Sequence, residues 1–312
     1  MTHQNQIISV SPIVFQVPNR LVDLEVKITA PVSGENLPVI LLSHGHGASN
    51  FLSSYRGYAP IVDYYASHGF VVIQPTHQDS KTLKLDPTGP EGPLFWKSRA
   101  EDMIYVYDRI EDILSAIPNL TERTDKTRVA AVGHSLGGNT VSMLAGMHVA
   151  DPVSGKTVNI EEPRIKAFVV MGAPGIGVDA AEWVSEHYPI LKSTDYSKMT
   201  RDVLVVAGDL DKSAIFSARD NWRMDAYNFS PAPKTLLTVF NSGHILGGVS
   251  GYDVLETDQT KDENPETVAF VNEMTAAYIR TKLFPENKAW QDAVEALAKN
   301  QHPKGKIDSK SV

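Results

Sequence analysis

The sequence predicts an α/β fold: a mostly parallel central sheet with helices on both faces and an antiparallel hairpin at its N-terminal end. Six short, continuously apolar runs recur along the chain, separated by longer segments of which several have helical patterning. Before them, one stretch alternates apolar and polar residues with the period of a half-buried strand. A chain of 312 residues, 42% hydrophobic and 21% charged, is long and apolar enough to bury a sizeable core around such a sheet.

The elements follow in order. Ile7 to Val17 and Leu21 to Thr29 flank the turn-like "PNR", and in the second Val22, Leu24, Val26 and Ile28 alternate with Asp23, Glu25 and Lys27, which predicts a hairpin. After the turn signal "PVSGENLP" come the runs "VILLS" (39–43), "FVVIQP" (70–75), "RVAAVG" (128–133), "AFVVMG" (167–172), "VLVVAG" (203–208) and "TLLTVF" (235–240). Between them Met103, Tyr107, Ile110, Leu114 and Ile117 recur at helical spacing, so "SRAEDMIYVYDRIEDILSAI" is expected as one amphipathic helix ending before Pro118. The Pro- and Gly-rich stretch 77–96 is too long for a plain turn, and 172–200 has room for a short cap. Residues 1–285 are thus expected to form one α/β domain with excursions at 77–96 and 172–200, followed over 286–312 by a helix and a mobile polar tail.

Composition excludes several functions. A net charge of −8 without a clustered basic face argues against nucleic acid as a partner. With no cysteine, neither a thiol nucleophile nor a thiolate metal site is available. The opening "MTHQNQIISVSPIVFQV" lacks the basic and apolar regions of a signal peptide, and no apolar run reaches membrane-spanning length. A cytoplasmic protein acting on a small molecule is the default expectation, with secretion after removal of a signal left open and the oligomeric state not specified.

The stretch "VAAVGHSLGGNTVSMLAG" carries the chemistry. Gly133, Ser135 and Gly137 form G-x-S-x-G between an apolar strand and a helix, the setting in which a strained turn lifts a nucleophilic serine above a sheet. A serine hydroxyl needs a base to take its proton and a third group to orient that base. In the chain order Ser, acid, His, the base is one of His148, His187, His244 and His302. His148 is expected on the helix leaving the turn, His187 before the strand that should carry the acid, and His302 in the polar tail. His244, in "TVFNSGHILGG" after the last apolar run, is the base expected, and the acid is Asp209 or Asp211 of "VLVVAGDLDKSA".

The motifs "LLSHGHGAS", "GHSLGG", "VVAGDLD" and "NSGHILGG", in this order over about residues 38 to 282, resemble the α/β-hydrolase superfamily. The chain is similar to its serine esterase branch around chlorophyllases, platelet-activating-factor acetylhydrolases and dienelactone-hydrolase-like proteins. Dienelactone hydrolases use cysteine where this chain has Ser135, so no lactone is implied. The resemblance implies the α/β-hydrolase fold for residues 1–285 and a carboxylic ester substrate cleaved through an acyl-enzyme without a cofactor. It implies Asp211 as the orienting acid, and the backbone N–H groups of Leu136 and His46 as the oxyanion donors. Amide cleavage, acyl transfer or a non-catalytic binding role on the same fold are the alternatives.

A metal reading of His44 and His46 lacks further ligands in the pattern. Arg99 and Asp102 either tie the long helix to neighbouring loops or form a solvated helix start. Phe95, Trp96, Trp183 and Trp222 receive no role.

Overall fold

The computed structural model describes residues 4–251 and 263–311. Its strands are, in chain order, β1 (Ile7–Phe15), β2 (Leu24–Pro31), β3 (Leu37–Ser43), β4 (Val71–Pro75), β5 (Thr124–His134), β6 (His148–Ala150), β7 (Thr157–Val158), β8 (Ala167–Met171), β9 (Thr194–Asp195), β10 (Val203–Gly208), β11 (Lys234–Val239) and β12 (Gly305–Lys310). Among the described residues nine of them form one sheet, ordered β1-β2-β4-β3-β5-β8-β10-β11-β12, and β7-β6-β9 form a small second one. The six strands from β4 to β11 are parallel, whereas the β1–β2 hairpin on one side and β12 on the other join antiparallel.

All six predicted apolar runs are the parallel strands, and their buried residues alternate between two cores. Val39, Leu41, Val129 and Ala131 face one side; Ile40, Leu42, Ala130 and Val132 face the other. The helices are α1 (Ala59–Ser67), α2 (Trp96–Asp108), α3 (Ile110–Leu114), α4 (Leu120–Arg123), α5 (Leu136–Leu144), α6 (Glu182–His187), α7 (Asp225–Asn228), α8 (Pro265–Leu283) and α9 (Ala289–Lys299). Met103 of α2 and Val141 of α5 pack into the first core, Ile61 of α1 and Ile279 of α8 into the second, so helices cover both faces. No helix among the described residues is long and apolar enough to cross a membrane.

Three expectations are corrected. The single helix expected up to Pro118 breaks at Arg109, whose backbone (φ −108°, ψ 14°) leaves the helical region; Ile110, Ile113 and Leu114 stay buried beyond the break, so periodicity does not reveal it. His148 is not on the helix after the serine turn. That helix closes in a turn at Gly146, where the Met147 N–H donates to Ser142 O, and His148 starts β6, paired with Asp195 of β9.

The polar C-terminal residues are not a loose tail either, since Gly305–Lys310 pair with β11 along its whole length. Ile307 packs on the second core, and Lys310 Nζ donates to the carbonyls of Tyr227, Asn228 and Ser230 at the end of α7, at 2.6, 3.0 and 3.1 Å.

Candidate active site

Ser135 stands where β5 ends and α5 begins, with φ 56° and ψ −122°, a conformation that costs on the order of 1–3 kcal/mol for a residue with a side chain. The fold enforces it: the Ser135 N–H donates to Met171 O of β8 at 2.8 Å, and α5 runs close beneath β3. At Gly137 an added Cβ would lie 2.0 Å from Ser43 O, so the turn tolerates no side chain there.

His244 lies in the loop after β11, and its Nε2 is 2.9 Å from Ser135 Oγ. Its Nδ1 is 2.8 Å from Asp211 Oδ2, in the loop after β10. The two acids left open by the motif separate clearly: the Asp209 carboxylate accepts from the Ser242 N–H at 3.2 Å and holds that turn, while Asp211 meets the ring. Burial alone would raise the Asp211 pKa; the His244 ring and the Arg223 guanidinium, whose Nε lies 3.5 Å from Oδ1, outweigh it and bring the carboxyl down to about 2. Asp211 is therefore a carboxylate at neutral pH. Arg223 is itself buried, lies against the Phe216 and Trp222 rings, and donates to Gly172 O at 3.2 Å.

The loop after β3 passes directly over this turn. An added Cβ at Gly45 would sit 3.3 Å from Ser135 Cβ. Leu136 is the first residue of α5, so its N–H has no acceptor within the helix, and no described residue accepts from the His46 N–H. Both residues line the same cavity as Ser135.

The side chains beneath this loop form a buried network whose members are scattered in the sequence. His44 Nδ1–H donates to Gly45 O at 2.6 Å, while its Nε2 accepts from the His77 N–H at 2.9 Å; burial, then the Arg99 charge, keeps the ring neutral. His46 Nδ1 is 2.9 Å from Asp79 Oδ2, and Arg99 grips the other oxygen, Oδ1, at 2.5 Å. Arg99 also donates to Thr140 Oγ1, Ser43 Oγ and His44 O. Burial would raise the Asp79 pKa, but the Arg99 guanidinium outweighs it and holds the carboxyl well below the usual range. His77 joins Ser43 Oγ to Asp102, and Arg20 pairs with Asp102 at 2.8 Å.

Arg99 and Asp102 thus tie the α2 start to neighbouring loops and are not solvated, with 0% and 3% exposure. Sequence reasoning did not single out His77, Asp79, Tyr58 or Arg223. A signal existed for the first two, because "HQDS" follows a parallel strand directly, at the sheet end where sites gather. Both rings of the "HGH" pair are committed to hydrogen bonds, and no group of three or more His, Asp or Glu among the described residues is arranged to hold a metal ion.

The cavity above Ser135 has a volume of about 570 Å³. Its walls come from the β3 loop (His46, Gly47, Leu52), Leu94 of the first excursion, Pro174, Tyr188 and Leu191 of the second, and Leu210, Lys212, Ser213 and Phe216 after β10. The second excursion folds as a cap through α6, is closed on itself by Tyr196 O–H to Pro174 O at 2.7 Å, and is tied to the body by Trp222 Nε1–H to Ile176 O at 2.9 Å. Phe95, Trp96 and Trp222 are buried; Trp183 is exposed on the cap beside Tyr188 and Phe216.

Residues 39–279 match the model of the alpha/beta hydrolase family. Among characterised proteins, esterase EstD of Thermotoga maritima is 29% identical over 130 residues, which cover 41% of this chain and 28% of that protein. Chlorophyllase-1 of Citrus sinensis is 32% identical over 151 residues, 45% of this chain and 40% of its own length. Chlorophyllase-1 of Arabidopsis thaliana is 27% identical over 125 residues, 40% and 34% of the two chains. The matched segments thus span less than half of each relative.

Proposed function

Because this chain belongs to the alpha/beta hydrolase family, we propose that it hydrolyses carboxylic esters of small molecules through an acyl-enzyme on Ser135. The observation that carries the reading is the line Ser135 Oγ, His244 Nε2, His244 Nδ1, Asp211 Oδ2, closed by contacts of 2.9 and 2.8 Å at the floor of a mostly apolar cavity. The matched relatives are an esterase and chlorophyllases, which favours esters over other acyl compounds.

In this mechanism Ser135 Oγ attacks the ester carbonyl carbon while His244 Nε2 takes its proton. The Asp211 carboxylate accepts from Nδ1–H and stabilises the imidazolium. The carbonyl oxygen gathers negative charge and is held by the N–H groups of Leu136 and His46, a term commonly worth about 3 kcal/mol per donor. His244 then returns the proton to the leaving alkoxide oxygen and the C–O bond breaks. Water enters, gives a proton to His244 and attacks the acyl carbon; the proton passes back to Ser135 Oγ as the acid departs.

A series of p-nitrophenyl esters from acetate to laurate, run beside the matching p-nitroanilides, tests the substrate class. The expected outcome is ester turnover with a clear chain-length optimum set by the cavity, and anilide turnover at least about 100-fold slower. Equal or faster anilide cleavage would replace the ester reading with an amidase.

A further inference from the structure

Two fully buried polar rings, Tyr58 and His134, lie between the loop that carries His46 and the loop that carries His244. Burying a phenol and an imidazole is costly unless each polar atom is paired, and here the pairing runs in one direction. The Gly45 N–H donates to Tyr58 Oη at 2.8 Å. Tyr58 Oη lies 3.2 Å from His134 Nδ1, and His134 Nε2 lies 2.7 Å from the main-chain oxygen of His244.

A carbonyl only accepts, so His134 carries its proton on Nε2 and donates it there. The ring is neutral, its pKa pushed down to about 3 by burial and then by the neighbouring His244. Nδ1 is therefore a lone pair and receives the Tyr58 O–H. The three bonds form a single head-to-tail line from Gly45 to His244, in which each bond polarises the next.

The backbone gives an independent indication. Tyr58 precedes α1 with φ 68° and ψ 15°, a left-handed conformation that glycine or asparagine adopts more easily than a tyrosine. A large ring is held there at a conformational cost, packed in the second core with its hydroxyl set between Gly45 and His134. His134 in turn directly precedes Ser135, so the line crosses the serine turn itself.

We propose that Tyr58 and His134 are positioning residues that set the His46 amide and the His244 ring at matched distances across Ser135. This rests on the ester hydrolysis proposed above. Neither residue touches the substrate. They hold the oxyanion donor and the base to one rigid reference, so their loss is felt where alignment matters most, in the transition state.

The test measures kcat and KM with p-nitrophenyl butyrate for Tyr58→Phe, His134→Leu and the double variant, with kcat expressed per active site counted by fluorophosphonate titration so that misfolded molecules do not enter. Each single variant is expected to lose about 10- to 100-fold in kcat with KM unchanged within about twofold, and the double variant to lose no more than the worse single, because both changes cut one line. A Tyr58→Phe kcat within about twofold of the parent, or losses that multiply in the double variant, overturns the proposal. Ser135→Ala separates the two levels: if it retains parent turnover the ester reading itself falls, whereas an inactive Ser135→Ala beside a fully active Tyr58→Phe removes only the positioning line.

Discussion

On one side of Ser135, His244 and Asp211 meet a cavity; on the other, His44, His77, Asp79, Asp102 and Arg99 are sealed beneath a loop. The residue types are nearly the same, yet the uses of their nitrogens differ. The His244 side chain is 14% exposed and lines the cavity with Nε2 directed at a hydroxyl, whereas His44 and His77 are buried with both ring nitrogens bonded within the protein. Histidine and carboxylate close together are therefore not enough to mark a base. What matters is whether the ring has a nitrogen left for a reacting group.

Under the proposed mechanism the first cluster carries chemistry and the second supports it, and variants separate the two. The largest effect is expected for Ser135→Ala, a fall of about 10⁵-fold in kcat with a thermal midpoint within about 2 °C of the parent. Steady-state kinetics and calorimetry on one preparation check it; a matching loss of stability would place Ser135 in the supporting class.

Next comes Arg99→Met, which leaves the Asp79 carboxylate buried without its ion-pair partner and should cost about 3–5 kcal/mol in denaturant unfolding. A loss under about 1 kcal/mol would show that the sealed cluster does not carry the loop. The smallest effect is a pH dependence. The Asp211 pKa of about 2 in the folded protein lies below the ordinary 3.8, so the unfolded chain binds this proton first as pH falls. The stabilisation is complete above about pH 4 and is lost as pH falls towards 2, about 2 kcal/mol in all. Unfolding free energies of Asp211→Asn should accordingly fall less steeply with acid than those of the parent, and identical slopes would contradict the assignment.

The parallel strands and the serine turn were legible because each is a local pattern: a short apolar run, or G-x-S-x-G between such a run and a helix. The placement of His244 beside Ser135 was anticipated from chain order. Asp211 did not separate from Asp209 by the residues alone, since both follow the same strand within three positions, and only the loop geometry turns one towards Ser242 and the other towards His244. The sealed network was not legible, because Arg20, His77, Asp79 and Arg99 meet only once the fold has brought the β1–β2 turn, the loop after β4 and the start of α2 together. The edge strand β12 was hidden for another reason: its pairing uses main-chain groups, while Lys306, Asp308 and Lys310 look like those of a solvated tail.

The proposed mechanism requires that Ser135 become acylated during turnover. Rapid acid quench of the protein turning over p-nitrophenyl butyrate, followed by peptide mass analysis, tests it directly. The expected result is a butyryl adduct on the peptide containing Ser135, formed within the first turnover and absent from Ser135→Ala. Full turnover with no adduct, or with the adduct on another residue, would contradict it.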